Sequence, residues 1–351
     1  MKYFPLTGGA DSPEFAFMSR AWRLASLSCG HTRPNPPVGA VVVKDGVKIG
    51  EGRHKRCGLD HAEAAALRAC TRSTIGATVY CTLEPCSKPG RVGACCDALI
   101  AAGVKRVEWA CPDPNVTNGG KAARVLGRAG IETVCWKKYP RNDLHRIMAE
   151  GIYEETLRPF AKHVVTGLPY LEVKLAMSLD GRICDITGKS QWISCKESLR
   201  ETATWREHVD VMMVGAETVR KDNPSLLCHT KKNDDLWRAV ISKSGRLPKT
   251  AQIFTDAARE RTLVYTDPVQ AIHDLGARGF MHVLCEGGLG LARSLAAARL
   301  VDKWTTILCP IVIGEQSLDD ACRFDSNVSC TTSHGGDLFF ENLCLQDSSR
   351  K

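Results

Sequence analysis

With 351 residues the chain is long for one domain and points to two, each with length enough for a core of its own. Its 44% hydrophobic and 25% charged residues are ordinary for a globular chain, and no uninterrupted apolar run is long enough to span a bilayer, which argues against a helical membrane protein. The net charge of +8 is scattered rather than gathered into a basic run, so it suits anionic partners, nucleic acid or phosphorylated small molecules, without choosing between them.

In chain order, residues 14–29 predict an amphipathic helix, with Phe17, Ala21, Leu24 and Leu27 at helical spacing. The prolines of "TRPNPPVG" break it. "AVVVKDGVKIGEG" reads as a hairpin about a Lys-Asp-Gly turn. Then come a helix "HAEAAALRAC", a strand "ATVYCTL", a helix "CCDALIAAG" stopped by Gly103, a strand "VKRVEWA", a helix "GKAARVLGRAG" and a strand "IETVCW". Strands alternating with helices predict an α/β layer with a mainly parallel portion. Residues 136–167 carry no strong period, so the boundary is expected near 150–165, between a domain over 12–150 and one over 165–351. The second half restarts with a strand "YLEVKLAMS", a helix at 196–207, a strand "VDVMMVGA", a loop, and strands "RAVIS", "TLVYT" and "MHVLCEG". A helix "LARSLAAARL" and a strand "WTTILCPIVIG" follow, which makes a second α/β domain. The stretch from about 318 is poorly patterned and stays unassigned.

The opening stretch "MKYFPLTGGADSPEF" lacks the apolar core of a secretory signal, so a cytoplasmic location is expected. In that reducing setting the 17 cysteines read as buried small hydrophobes plus a metal site, rather than as disulfides. The metal site has a candidate. In "HAEAAAL", at 61–67, four alanines surround His61 and Glu63 and let a backbone come close. Cys86 ends "TLEPC" after a strand, and Cys95 and Cys96 open the next helix. One histidine and two cysteines at element ends can converge as three ligands, the pattern of catalytic rather than structural zinc. A metal there lowers the pKa of bound water, and Glu63 is suited to move its proton to a leaving amine. His-x-Glu followed by Pro-Cys is the signature of zinc deaminases, although its usual second cysteine would fall at Pro89.

"RPNPPVGAVVVKDG", "HAEAAAL", "TLEPCSKPGRVGACCDALIAAGVKRV" and "DPN" at 113–115 resemble the deaminase half of the bifunctional riboflavin-biosynthesis deaminase–reductases, including the nine-residue separation of Cys86 and Cys95. The resemblance implies a cytidine-deaminase-like three-layer domain with zinc on His61, Cys86 and Cys95 and Glu63 as proton shuttle. It also implies that Asn35 and His54 line the pyrimidine pocket and that Arg91 lies near the ribose phosphate. An amide fixed in a proline-locked loop offers both a donor and an acceptor to a base edge. Lys88 stands where the family usually has histidine, and Val92, Gly93 and Ala94 where it has Thr-Pro-Pro.

In the second half, "KLAMSLDGRICDITGKSQWIS", "VDVMMVGAETVRKDNPSL" and "VLCEGGLGLARSL" resemble the reductase half of the same family. A dihydrofolate-reductase-like α/β fold is thereby implied. The glycine turn before a helix in the last segment is by itself a weak phosphate signal. The resemblance implies NADPH contacts at Ala176, Trp192, Thr218, Asp222 and the loop Gly288, Leu289, Gly290, Leu291, Ala292, Arg293 and Ser294. It implies substrate contacts at Ser190, Arg206, Leu226 and Glu286. His229 replaces a usual arginine, and Ser242-Lys243 a usual Asp-Ser; Lys243 suits the extra phosphate of NADPH, and Lys174 is the one ionisable group of its strand near the expected nicotinamide.

The expected activity is zinc-dependent deamination of a diaminopyrimidinone ribosyl phosphate, followed by NADPH-dependent reduction of the ribosyl side chain to ribityl. The partner is then a phosphorylated pyrimidine, with neither nucleic acid nor membrane; a homo-oligomer stays open. Two alternatives remain at this point: a nucleic-acid base deaminase with an appended domain, and a deaminase whose reductase half has degenerated.

Overall fold

The computed structural model describes residues 12–88, 93–190, 192–228, 233–315, 317, 322–323, 333–334 and 337–343. The chain divides into two compact units, residues 1–166 and 167–351. Among the described residues no helix is long and apolar enough to cross a membrane.

The first unit runs α1 (Pro13–Ser26), β1 (Gly39–Lys44), β2 (Val47–Arg53), α2 (Ala62–Arg68), β3 (Thr78–Leu83), α3 (Cys95–Ala101), β4 (Arg106–Cys111), α4 (Ala122–Arg128), β5 (Glu132–Cys135), α5 (Asp143–Ile152) and α6 (Arg158–Thr166). Its sheet has the order β2-β1-β3-β4-β5. β1 is antiparallel to β2 and to β3, whereas β3, β4 and β5 are parallel. The hairpin closes through Asp45 and Gly46, whose φ angles of 51° and 73° are those of a two-residue primed turn.

Helices cover both faces, which follows from the pleat. Gly52 pairs with Ala40 and Gly50 with Val42, so these four share one face. α2 lies so close there that a Cβ on Gly50 would fall 2.5 Å from the Ala66 carbonyl oxygen and one on Gly52 2.4 Å from the Ala66 nitrogen. This is the close approach that the alanines around His61 and Glu63 serve. Gly39, on the alternate face, meets α1 in the same way, 2.0 Å from the Ala21 carbonyl oxygen. Met18, Trp22, Val41, Val79, Leu99, Val107, Leu126 and Trp136 fill the core between the layers.

The stretch 136–167, which carries no strong period in the sequence, is mostly helical: α5 passes through a π-helical turn at Tyr153–Leu157 into α6. Its buried face uses His145, Ala149, Thr156 and Ala161 beside Met148, Ile152, Leu157 and Phe160, while Ile147 and Val165 are exposed. Polar and small residues inside, with β-branched ones outside, erase the apolar period that would announce a helix.

The second unit runs β6 (Tyr170–Ser178), α7 (Lys196–Trp205), β7 (Val211–Gly215), α8 (Ala216–Asp222), β8 (Trp237–Ile241), α9 (Gln252–Thr255), β9 (Thr262–Tyr265), α10 (Pro268–Ala277), β10 (His282–Cys285), α11 (Leu289–Ala297), β11 (Lys303–Cys309), β12 (Ile311–Val312), β13 (Cys322–Arg323), β14 (Ser333–His334) and β15 (Asp337–Leu343). Its main sheet has the order β14-β15-β11-β6-β10-β7-β8-β9. From β11 to β9 every pairing is parallel, and β15 adds antiparallel to β11. The central strands are near-continuous apolar runs, as strands covered on both faces require. α8 replaces an expected loop; Val219 is its one buried residue, too little to make a period. α10, also unforeseen, starts at Asp267, whose carboxylate accepts the Gln270 N–H at 2.7 Å, with Pro268 in its first turn.

Candidate active sites

The first site lies where the end of β3 meets the starts of α2 and α3. Glu84 and Pro85 carry the chain from β3 to Cys86. His61 caps α2 and Cys95 is the first residue of α3. His61 Nδ1 is thereby 3.3 Å from Cys95 Sγ and 3.6 Å from Cys86 Sγ. The three ligand atoms all lie within 4.8 Å of one another. Left without a carbonyl partner by its place at the helix start, the Cys95 backbone N–H donates to Cys86 Sγ at 3.2 Å. The Cys86 thiol is held well below its ordinary range, chiefly by the Cys95 thiol, with burial opposing and His61 assisting. The same contact with Cys86, and then burial, pushes the Cys95 thiol up. Cys96 is oriented differently: its Sγ faces the Pro85 carbonyl oxygen at 3.8 Å and its side chain joins the core. One imidazole and two sulfurs form a soft-to-borderline set of three donors, which fits a catalytic zinc.

Glu63, in the first turn of α2, is 3% exposed. Burial, and then the Cys86 charge, raise its carboxyl above the usual range. Asn35 and His54 join the same cluster. Asn35 Nδ2 is 3.1 Å from His54 Nε2, and His54 Nδ1 is 2.9 Å from the Asp60 carbonyl oxygen. Burial lowers His54 and favours its neutral form. A neutral ring protonated on Nδ1 donates to Asp60 and accepts the Asn35 amide on Nε2. The His54 and His61 rings meet edge to face, 5.2 Å apart.

Sequence reasoning assigned no task to Glu84. Its buried carboxylate accepts the N–H groups of Asp113 at 3.2 Å, Gly120 at 2.9 Å and Ala122 at 3.1 Å. Asn118 Nδ2 donates to Asp113 at 2.5 Å, and Asn118 Oδ1 accepts the Ser87 N–H at 3.0 Å. The "DPN" segment is therefore folded about Glu84 and braces the residue after Cys86. An acid at the end of an apolar strand was the signal, because such a group must find partners. Arg91 lies outside the described residues; Lys88, which is described, is exposed.

The second site is built on the second unit's sheet. β6 and β10 are adjacent, with Cys285 paired to Val173, so Glu286 comes level with Lys174. Arg206, at the C-terminal end of α7, completes the group. Burial alone would raise the Glu286 carboxyl, but Lys174 Nζ at 3.7 Å and Arg206 Nη2 at 2.9 Å hold it below the usual range. Arg206 Nη1 also donates to the Leu227 carbonyl at 3.4 Å, next to the buried Leu226. Ala176 lies two residues beyond Lys174 on β6 and packs against the cluster of Ile193, Ile307 and Cys309. The remaining sequence-predicted residues lie on three other segments. Ser190 and the 60%-exposed Trp192 follow a loop tied by Asp185, whose carboxylate accepts the N–H groups of Thr187 at 2.8 Å and Lys189 at 2.9 Å. Thr218 and Asp222 lie on α8, where burial raises the Asp222 carboxyl. Gly288 caps α11; Leu289, Gly290, Leu291, Arg293 and Ser294 follow along it, while Ala292 is a core side chain. His229 lies outside the described residues, and Lys243 is exposed beyond β8.

Residues 12–111 match the family of the cytidine and deoxycytidylate deaminase zinc-binding region, and residues 169–334 match the RibD C-terminal domain. The riboflavin biosynthesis protein RibD of Escherichia coli K12 is 34% identical over 336 residues, 86% of this chain and 89% of that protein. This chain belongs to the RibD family. RibD of Aquifex aeolicus is 32% identical over 329 residues, 85% of this chain and 87% of its own length. The solved structure of Acinetobacter baumannii RibD superposes with a TM-score of 0.78 at 29% identity, covering 95% of this chain and 99% of that one. A Thermotoga maritima structure, described as a diaminohydroxyphosphoribosylaminopyrimidine deaminase/5-amino-6-(5-phosphoribosylamino)uracil reductase, superposes with a TM-score of 0.77 at 30% identity, covering 87% and 88%. The RibD match thus spans both units, a zinc-binding deaminase-type unit followed by a RibD-type reductase unit, and the second is no unrelated appendage to a nucleic-acid deaminase.

Proposed function

We propose that the chain catalyses two consecutive reactions of riboflavin biosynthesis. The first unit hydrolyses the 2-amino group of 2,5-diamino-6-(5-phosphoribosylamino)pyrimidin-4-one to a carbonyl, taking up water and releasing ammonia. The second unit reduces the ribosyl side chain of that product to ribityl, consuming NADPH and a proton. The observation that carries the reading is the convergence of His61, Cys86 and Cys95 within 4.8 Å, with Glu63 buried beside them.

In the first reaction His61, Cys86 and Cys95 would hold zinc, which when bound activates a water at neutral pH. Glu63 takes the proton of the attacking water and delivers it to the departing amine. Its place in the first turn of α2, two residues from His61, sets it beside the metal ligands rather than among them. Asn35, held against His54, orients the pyrimidine edge, and the ribose phosphate is assigned to Arg91.

In the second reaction NADPH supplies hydride, and the protein supplies orientation and charge. Glu286 and Arg206 hold the pyrimidine with Ser190 and Leu226, and Lys174, paired to Glu286, serves as an acid or orienting group. Ala176, Trp192, Thr218, Asp222 and the start of α11 receive the cofactor; Ala292 contributes backbone only, its side chain being in the core.

The test uses the purified, zinc-loaded chain and the diaminopyrimidinone. Ammonia release without NADPH, and equimolar NADPH oxidation once NADPH is added, are expected. Ammonia release with no NADPH oxidation would replace the reading by a deaminase with an inactive second unit.

A further inference from the structure

We infer that Arg238 is a positioning residue for the reductase site, fixing the backbone on which Leu226 is carried. The inference rests on the proposed reduction. Arg238 lies within β8, between neighbours in a parallel sheet, and its side chain is fully buried. Such strands ordinarily carry aliphatic residues, as Ala239, Val240 and Ile241 do here. A buried guanidinium loses its hydration, and a carboxylate partner does little more than restore the balance; apolar replacements are often as stable. Stability alone therefore does not account for an arginine at this point. Full burial also keeps it from touching a ligand directly.

Its hydrogen bonds show what it holds. Arg238 Nη1 and Nη2 donate to the two Asp256 carboxylate oxygens at 2.6 and 2.9 Å, and Nη2 also donates to the Ile253 carbonyl at 2.9 Å. These bonds anchor the guanidinium to α9 and the residue after it. The remaining bond runs from Nη1 to the Ser225 carbonyl at 3.0 Å, in the loop between α8 and β8.

That loop has an unusual backbone. Asn223 and Leu226 have φ angles of 42° and 58°, in the left-handed region. Asparagine enters that region readily, and Asn223 Oδ1 accepts the Gln252 N–H at 2.7 Å from the start of α9. Leucine does not enter it without cost, and persists there only where its surroundings over-determine it. Here they do. The carbonyl before Leu226 is held by Arg238, and the carbonyl after it by Arg206 Nη1 at 3.4 Å. Arg206 is itself fixed to Glu286 at 2.9 Å. Leu226 is thus clamped between two guanidinium groups, one tied to Asp256 and one to the charged group of the site. Without the Arg238 anchor the leucine relaxes to an ordinary φ, and both its side chain and the Leu227 carbonyl move relative to Arg206 and Glu286.

Steady-state kinetics on the full chain test this, with ammonia release by the same preparation as the control for folding. Arg238→Met removes every side-chain donor and keeps an unbranched apolar stem. Arg238→Lys keeps the charge but cannot reach Asp256 and Ser225 in a fork. Asp256→Asn leaves the bond to Ser225 in place. KM for the deaminated pyrimidine is expected to rise about tenfold in Arg238→Met, as for the loss of one charged hydrogen bond, with KM for NADPH, kcat and ammonia release nearly unchanged. Arg238→Lys should fall between wild type and Arg238→Met, and Asp256→Asn should lie closest to wild type. A lower melting temperature with an unchanged KM for the pyrimidine, or an equal rise in both KM values, would overturn the inference. Should Arg238→Met not fold, the other two variants decide by the same criteria. A wild-type chain that oxidises no NADPH with the intermediate would overturn the reduction itself, an outcome distinct from any variant effect.

Discussion

Cys95 and Cys96 are adjacent, and a substitution in each separates the ligand from its neighbour. Consecutive residues at a helix start point about 100° apart, so one thiol alone can face His61. Cys95 Sγ lies 3.3 Å from His61 Nδ1, whereas Cys96 Sγ faces the Pro85 carbonyl oxygen at 3.8 Å. Cys95→Ser leaves two strong donors in place of three. Loss of an outer-shell partner alone weakens metal binding by about 10–100-fold, so loss of a direct ligand should exceed about 100-fold. Zinc per chain should fall from near one to near zero after dialysis against a weak chelator, and ammonia release should go with it. Cys96→Ser should keep both. Its cost is in stability: a hydroxyl in a fully buried site costs about 1–3 kcal/mol where it finds no partner, measured as a lower urea midpoint. Metal analysis and urea unfolding on the two variants side by side are sufficient. Equal zinc loss in both, or loss in Cys96→Ser alone, would refute the assignment of the helix face.

Glu63→Gln should leave zinc content and the urea midpoint near wild type and reduce the rate of ammonia release by about 10²–10⁴-fold, and near-normal deamination would remove Glu63 from its role. Arg206→Ala should lower kcat/KM for reduction by about 10–100-fold through the loss of its bond to Glu286, with deamination unchanged as the internal check. Glu172 gives a pH signature in the second unit. Burial opposes its charge, but His282 and Lys303 Nζ, the latter at 3.2 Å, hold its carboxyl at about 2, against an unfolded value of 4.5. Because the folded value is the lower one, the stabilisation is complete above the unfolded pKa and is lost as pH falls towards 2; it amounts to about 3 kcal/mol at neutral pH, with nearly half gone by about pH 3.5. The stability difference between wild type and Glu172→Gln should therefore shrink with acid, and a difference independent of pH would contradict the pairing.

The parts of the fold that the sequence announced are those with large apolar side chains at regular spacing, β1, β3, β4, β6, β7 and β10 among them. α5 and α6 were hidden because His145, Ala149 and Thr156 face inward and Ile147 and Val165 outward. α8 was hidden because Val219 is its only buried side chain. α10 did carry a readable start in Asp267 and Pro268, with Ala271, Ile272 and Leu275 buried at helical spacing. The candidate metal cluster was legible because its residues are themselves the chemistry, and their places at element ends bring them together. The partners of Glu84 and Arg238 were not legible, since each acts through backbone groups distant in sequence, and only the folded chain brings Gly120 to Glu84 or Ser225 to Arg238. Lys174, Arg206 and Glu286 could be named one by one, but their convergence depends on the register of β6 with β10.

The measurement that bears most directly on the account is a chelator experiment on the intact chain, with ammonia and NADPH followed separately. His61, Cys86 and Cys95 all lie in the first unit, and every residue proposed for NADPH lies in the second. Removing metal should abolish ammonia release from the diaminopyrimidinone and leave NADPH oxidation on the supplied deaminated intermediate at its original rate, because hydride transfer from a nicotinamide needs no metal. Loss of both activities from a chain that circular dichroism shows to be still folded would contradict two independent sites.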